Sequence, residues 1–425
     1  MKFAKRVVDI AKKDGLLGKN VKLEKNICVL CKGSRMLCGR SRCPILINLN
    51  FHSKYKLLDK TELNGSSPPS VFIGRIGYPN VYIGPMIPPE VGDTSIIDTP
   101  ERWFGKSIEE IVDFRVKLVR GMYRTNIKDR NKMIELTREI ALSKKPVDSE
   151  MILSKKPRRQ IVMSDEVQPF GASAPLRDLS IDNTYWDRKM EKCYYDTDLK
   201  AKEAICFLYK EKVPVSSIQK AFSVGAFGIE KNRKLVPTRW SITAVDDMLS
   251  KELMENVRKY PVINEYRVYE SEFLDNRFEI LMLPQAWSYE SMETWYPGTL
   301  WNQNPESFVL YSDFESYKGR TTYARIGGCY YSARLAVLEA LEKERRQATV
   351  IVMREAHPGY IMPVGVWHVR ENVRNAMRNK PLKFNTLEEA LLRIAERFEI
   401  SIDFWIENSE ILREVFAQKK LTQWI

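Results

Sequence analysis

Two short apolar runs in "VFIGRIGYPNVYIGPMIPP", beginning at Val71, are split by Gly77-Tyr78-Pro79-Asn80, the pattern of a β-hairpin with a proline-rich exit. The period then changes. In "SIEEIVDFRVKLVRGM", Ser107 and Glu110 form a capping box, and apolar residues recur at Ile108, Ile111, Val112, Leu118 and Val119, which predicts a helix across the stretch. The Gly105-Lys106-Ser107 just before it resembles the end of a phosphate-binding loop, but Pro100 stands where that motif needs its first glycine, so the motif is discarded. Between Ala141 and Arg159 the sequence "LSKKP" occurs twice, and this Lys- and Pro-rich stretch reads as an extended basic strand or linker able to follow a nucleic-acid backbone.

Further on, "DLKAKEAICFLYK" and "VSSIQKAF" predict two helices about a proline turn, read as a packed pair and not a helix-turn-helix. In "SVGAFGIEKNRKLVPTRWSITAVDDMLSKELM" a Gly-rich turn leads to a basic loop and then an amphipathic helix with Asp246 and Asp247 in its first turn. The alternation in "EYRVYESEFLDNRFEILMLP" predicts two antiparallel strands joined near Asp275-Asn276. "TTYARIGGCYYSARLAVLEALEKERR" reads as strand, glycine turn and a helix from about Ser332, and "ATVIVMRE" and "YIMPVGVWHVRE" read as strands. Thr386 and Glu389 form a second capping box before "LEEALLRIAERF", and "SEILREVFA" is a last helix. Strands and helices mix without a regular βαβ rhythm, so the expected class is α+β, with a small N-terminal zinc knuckle and an extended C-terminal tail. The expected division is a zinc-binding module at 1–60, a central α+β domain at 61–284, a C-terminal α/β domain at 285–400, and a helix with a tail at 401–425.

Charge adds a class of partner. The 425 residues carry 68 Lys and Arg against 55 Asp and Glu, a net +13 that favours polyanions through counterion release. No apolar run approaches the roughly 18 residues that cross a bilayer, and the charged start is unlike a signal peptide, so a cytoplasmic, nucleoid-associated protein without membrane contact is expected.

Cys28, Cys31, Cys38 and Cys43 have the spacing C-x2-C-x6-C-x4-C, and four thiolates so arranged can surround one tetrahedral Zn²⁺. Two disulfides are the alternative, unusual inside most cells. Four protein ligands leave no open position, so the metal would be structural. Arg35, Arg40 and Arg42 in the same loop are positioned to meet phosphate. Cys193, Cys206 and Cys329 show no pairing pattern and read as core or incidental residues.

The chain ends in "QKKLTQWI". Leu421 and Trp424 fall on one side of a helical turn, Ile425 extends that apolar plug, and Gln418 adds an amide for a polar notch. This pattern resembles the box by which replication and repair proteins hold the ring-shaped sliding clamp (PCNA). With the four cysteines, and with "RKLVPTRWSITAVDD", "AWSYESMETWYPGT" and "GGCYYSARLAVLEAL", the chain resembles the archaeal Nre family of DNA repair proteins over essentially its whole length. The resemblance implies a part in DNA-damage repair with the tail bound to the clamp. Trp424-Ile425 departs from the usual pair of aromatics at the end of such a box, and fits the family's own version.

Lys231, Arg233, Lys234 and Arg239 of the basic loop, and Arg325 and Arg334 around the Gly327-Gly328 turn, are candidate nucleic-acid contacts. Glu230, Asp246 and Asp247, with Asp313 and Glu315 as further carboxylates, are candidates for holding Mg²⁺ or Mn²⁺ in a metal-dependent nuclease. A third reading is an RNA-processing or nucleotide-modifying enzyme. His357 and His368 are too few for a His-rich metal centre. Trp287, Tyr289, Trp295, Tyr296 and Trp301 read as core, with base stacking as the alternative.

Overall fold

A computed structural model of the chain describes residues 2–13, 28, 31, 37, 60–158, 170–302, 304, 306–360 and 362–417. The chain divides into two compact units, one of Arg40–Glu252 with Pro363–His368, the other of Met1–Gly39, Leu253–Met362 and Val369–Ile425. Both follow the expected α+β class.

The first unit is built on a six-stranded sheet. Its strands are β1 (Glu62–Ser67), β2 (Val71–Ile73), β3 (Asn80–Ile87), β4 (Val119–Asn126), β5 (Val147–Leu153) and β6 (Ser173–Ile181), in spatial order β1-β5-β6-β4-β3-β2. β4 and β6 run parallel, and the other neighbours are antiparallel. The expected hairpin is β2–β3. The helix after it, Ile108–Val116, has the Ser107–Glu110 capping box, but it stops at Val116. Val119 already opens β4, and Leu118 lies in the two-residue link between helix and strand, although Val112, Val116 and Val119 keep helical spacing. Leu118 is fully buried with Met86, Ile97 and Phe170.

The stretch expected to be a basic strand or linker is a strand inside the sheet. β5 lies between β1 and β6, and Val147, Ser149, Met151 and Leu153 point inward at period two. The lysine pairs that dominate the stretch sit exposed just outside its two ends.

With α1 at Lys2–Lys13 and α2 at Ile108–Val116, the remaining helices up to the centre of the chain are α3 (Lys132–Leu142), α4 (Arg188–Tyr195), α5 (Ala201–Lys210), α6 (Val215–Ser223) and α7 (Thr238–Val257). The division between the units falls within α7, after Glu252.

The second unit has its own six-stranded sheet: β7 (Tyr266–Glu272), β8 (Asn276–Leu283), β9 (Ser288–Trp295), β10 (Val309–Glu315), β11 (Thr349–Ala356) and β12 (Leu382–Phe384), in order β10-β9-β11-β8-β7-β12. β11 is the middle of it. All eight of its residues are buried, and it pairs antiparallel with β8 and parallel with β9. A domain boundary at 284/285 would therefore cut one sheet between β8 and β9, so the expected division at that point is corrected. The remaining helices are α8 (Gly328–Glu344), α9 (Trp367–Arg378), α10 (Leu387–Arg397), α11 (Ile402–Asn408) and α12 (Glu410–Ala417). Val7 and Ala11 of α1 share one apolar core with residues of α10, α11 and α12.

Two expectations in this part change. "TTYARIG" is not a strand, and α8 starts at Gly328, directly after Gly327 at φ +74°. "YIMPVGVWHVRE" is not a strand either, because its second half opens α9. Val369, Val373 and Ala376 keep helical spacing, a period that shows only beyond the end of that stretch.

The final described helix is fastened to the sheet by one carboxylate. Glu290 of β9, with no exposed surface, accepts hydrogen bonds from the Ser409 hydroxyl (2.6 Å) and from the backbone N–H groups of Glu410 (2.9 Å) and Ile411 (3.1 Å). These are the otherwise unsatisfied donors at the start of α12. Among the described residues no helix is long and apolar enough to cross a membrane.

Candidate nucleic-acid interface

In the first unit the backbone draws three distant segments together. Ile127, just after β4, donates to the Pro79 carbonyl of the β2–β3 turn (3.0 Å), and Leu235 donates to the Ile127 carbonyl (2.9 Å). Gly225 makes the second approach feasible. It sits at φ +71°, and a Cβ there would lie 2.6 Å from the Lys234 carbonyl oxygen.

The result is a pocket of about 110 Å³ lined by Lys128, Arg130, Arg138, Arg233 and Lys234, with Asp129, Glu135 and Glu230 as its acidic members and Tyr194 as its aromatic one. The acids are already engaged. Glu230 pairs with Arg130 (3.4 Å) and Glu135 with Arg138. Asp129 accepts from the Thr125 hydroxyl (2.7 Å) and the Asn126 N–H (2.8 Å), which hold its carboxyl below the usual range. Lys128 and Lys234 are exposed, and neither forms an ion pair among the described residues. Two unneutralised ammonium groups beside a polar hollow suit the oxygens of a phosphate backbone.

Sequence patterning pointed to Lys231, Arg233, Lys234 and Arg239 but missed Lys128, Arg130 and Arg138. Those three lie about a hundred residues upstream, on a loop and a helix whose basic residues are unremarkable alone. Lys231 is exposed and Arg239 half-buried. Arg233 is engaged internally: its guanidinium donates to the carbonyls of Gly228, Tyr194 and Asp196, each at 2.6 Å, and so shapes the loop.

The candidate catalytic carboxylates do not gather. Asp246 and Asp247 lie in the third turn of α7 and not the first, because the helix already begins at Thr238. Asp246 is fully buried and accepts from Gln219 Nε2 (2.9 Å), whereas Asp247 pairs with Lys251 (2.7 Å). Among the described residues no three His, Cys, Asp or Glu side chains are grouped to hold a metal.

In the second unit, Asp313 pairs with Arg320 (2.9 Å) and accepts from the Arg325 N–H (2.6 Å). Arg325 is exposed, whereas Arg334 is fully buried against Glu315 (2.6 Å) and is closed to any phosphate. His357 is buried against Glu355 (3.1 Å), and His368 is buried as well. Trp287, Tyr289, Trp295, Tyr296 and Trp301 are all core residues, at most 4% exposed.

Cys28 and Cys31 both have helical backbone, half-buried and buried respectively, and residues three apart are neighbours on a helix face. Cys28 lies close enough to Tyr311 of β10 to contribute, after burial, to raising that phenol. Cys38, Cys43, Arg35, Arg40 and Arg42 lie outside the described residues, as do Gln418, Leu421, Trp424 and Ile425 of the tail.

The family models "Archaeal Nre, N-terminal" and "Archaeal Nre, C-terminal" match residues 37–302 and 315–424. This chain belongs to the archaeal Nre family. Among Nre relatives, DNA repair protein NreB of Archaeoglobus fulgidus is 45% identical over 387 residues, which are 91% of this chain and 97% of that one. DNA repair protein NreA of the same organism is 38% identical over 376 residues, 88% and 94% of the two chains. DNA repair protein NreA of Haloferax volcanii is 35% identical over 354 residues, 80% and 84%. No solved structure matches this Nre chain. The C-terminal Nre match takes in Gln418, Leu421 and Trp424, and the N-terminal one begins after Cys31 and includes Cys38 and Cys43.

Proposed function

We propose that this chain is a DNA repair factor that contacts DNA through the basic pocket of its first unit and is recruited to the sliding clamp by its terminal "QKKLTQWI". The repair role rests on the names of relatives aligned over nine-tenths of the chain. The DNA contact is supported by one observation above all, that Lys128 and Lys234 line the pocket, are exposed and form no ion pair among the described residues. Clamp recruitment is supported by the spacing of Gln418, Leu421, Trp424 and Ile425.

A structural Zn²⁺ held by Cys28, Cys31, Cys38 and Cys43 completes the reading. Thiolates suit this metal, and the helical neighbours Cys28 and Cys31 offer two of them on one face. It would hold structure and take no part in a reaction.

The test is DNA binding by the full chain at a series of salt concentrations. Log affinity should fall linearly with log salt, and Lys128→Ala or Lys234→Ala should each reduce that slope by about one. A slope unaltered by both substitutions would remove the pocket from the interface. Metal analysis of the same preparation should find one zinc per chain, and its absence would leave the cysteines without this role.

A further inference from the structure

Most of the described tryptophans are interior residues, and Trp186 is half-buried. Trp103, Trp287, Trp295, Trp301, Trp367 and Trp405 are each at most 2% exposed, whereas Trp240 is 43% exposed, the one exposed tryptophan among the described residues. Trp240 stands in the first turn of α7, and its ring centroid lies 5.0 Å from that of Tyr78, 41% exposed, at an interplanar angle of 55°. Two hydrogen bonds hold the flanking segments in place. The Ile73 N–H donates to the Thr238 hydroxyl (2.8 Å), which joins the end of β2 to the start of α7. The Ile127 N–H donates to the Pro79 carbonyl, next to Tyr78.

An exposed aromatic pair so held costs the protein solubility and adds nothing to its core, so its surroundings decide what would cover it. They are basic. Lys128 follows Ile127, and Lys234 precedes the Leu235 that bonds to Ile127, so both exposed ammonium groups sit one residue from the hydrogen bonds that lead to Tyr78.

We propose that Tyr78 and Trp240 form a stacking platform for an unpaired base, and that the occupant of this surface is single-stranded DNA whose phosphates run towards Lys128 and Lys234. The inference deepens the DNA-contact reading above and rests on it. Every base has a π-face, so such a platform tolerates any sequence. Bases in a duplex are already stacked and gain nothing from it. Ring stacking would therefore supply a preference for single strands, and the lysines an affinity common to both forms.

The full chain is titrated with a labelled oligothymidylate, and with a duplex of the same length, at several salt concentrations. Trp240→Ala and Tyr78→Ala are each expected to weaken binding of the single strand about ten- to a hundredfold. Duplex binding and the salt slope should stay unchanged in both. Trp240→Phe, which keeps a ring, should retain most of the affinity. A part of the intrinsic tryptophan fluorescence should be quenched by oligothymidylate in the wild type and not in Trp240→Phe. Equal binding of the single strand by wild type and both alanine variants overturns the platform while leaving DNA contact intact, and points to a protein partner for the aromatic pair. Loss of single-strand and duplex binding in equal proportion also overturns it, since stacking cannot act on both. A wild-type chain that binds neither form removes the DNA-contact reading itself, and the platform with it.

Discussion

Glu279 of β8 has no exposed surface. Burial, with the charge of Glu270 adding to it, pushes its carboxyl up to about 8 against the opposing pull of Arg397. Arg397 Nε donates to Oε1 at 2.8 Å, and Oε2 has no hydrogen-bond partner among the described residues. A folded-state value above the unfolded one, 4.5, means the native chain binds more protons than the unfolded chain between about 4.5 and about 8. Stability from this group is present at low pH and is lost as pH rises through that window. Glu290 is raised in the same direction, first by burial. Glu279→Gln should raise the melting temperature at about pH 8 and flatten its decline from about pH 5. Thermal melts across that range would check this, and an unchanged slope would show that the carboxyl is ionised throughout. Sequence gave no hint of this residue, nor of the burial of Arg334, because "NRFEILML" and "YYSARLAV" each place a charge in a helix or strand without saying which face turns inward.

Capping chemistry read most faithfully at the scale of elements. Ser107–Glu110 and Thr386–Glu389 both form reciprocal capping boxes, because the motif needs only residues three apart and no tertiary neighbour. Thr386→Ala should cost about 1 kcal/mol and lower the melting temperature by a few degrees. Chemical denaturation of the two chains would measure it, and a loss indistinguishable from zero would mean that packing of α10 alone fixes its start. The two expected strands that are absent share one cause. The "TTYARIG" segment and the opening of α9 are each too short a window to show a period. The hairpins β2–β3 and β7–β8 were legible because their turns carry the punctuation: Gly77 at φ +85°, and Leu274 and Asp275 at φ +52° and +53°.

For the molecule as a whole, the sequence conveyed the α+β class better than the division of the chain. Splitting it at 284/285 failed because β11 arrives some seventy residues after β8 to stitch β8 and β9 into one sheet, and such long-range pairing leaves no local mark. The basic pocket was half visible for the same reason, since its lysines come from segments about a hundred residues apart. The proposal of clamp recruitment, by contrast, rests on one short terminal stretch. Removing residues 418–425 should abolish the calorimetric signal with the sliding clamp and leave the melting temperature of the body within about 1 °C, because Glu290 fastens the start of α12 without them. Heat of binding that survives the truncation would place the clamp contact elsewhere.

The carboxylate of Glu290 has a consequence for reach. It ties the first turn of α12 to β9, next to the edge strand of its sheet, so the described chain reaches Ala417 from a fixed point. The eight residues 418–425 come next, and at full stretch eight residues span about 28 Å at most. On the proposed clamp contact, a ring gripped by those residues would be held on a short leash to solid ground, roughly one small domain's width away, and whatever DNA the ring encircles would be carried into the same neighbourhood.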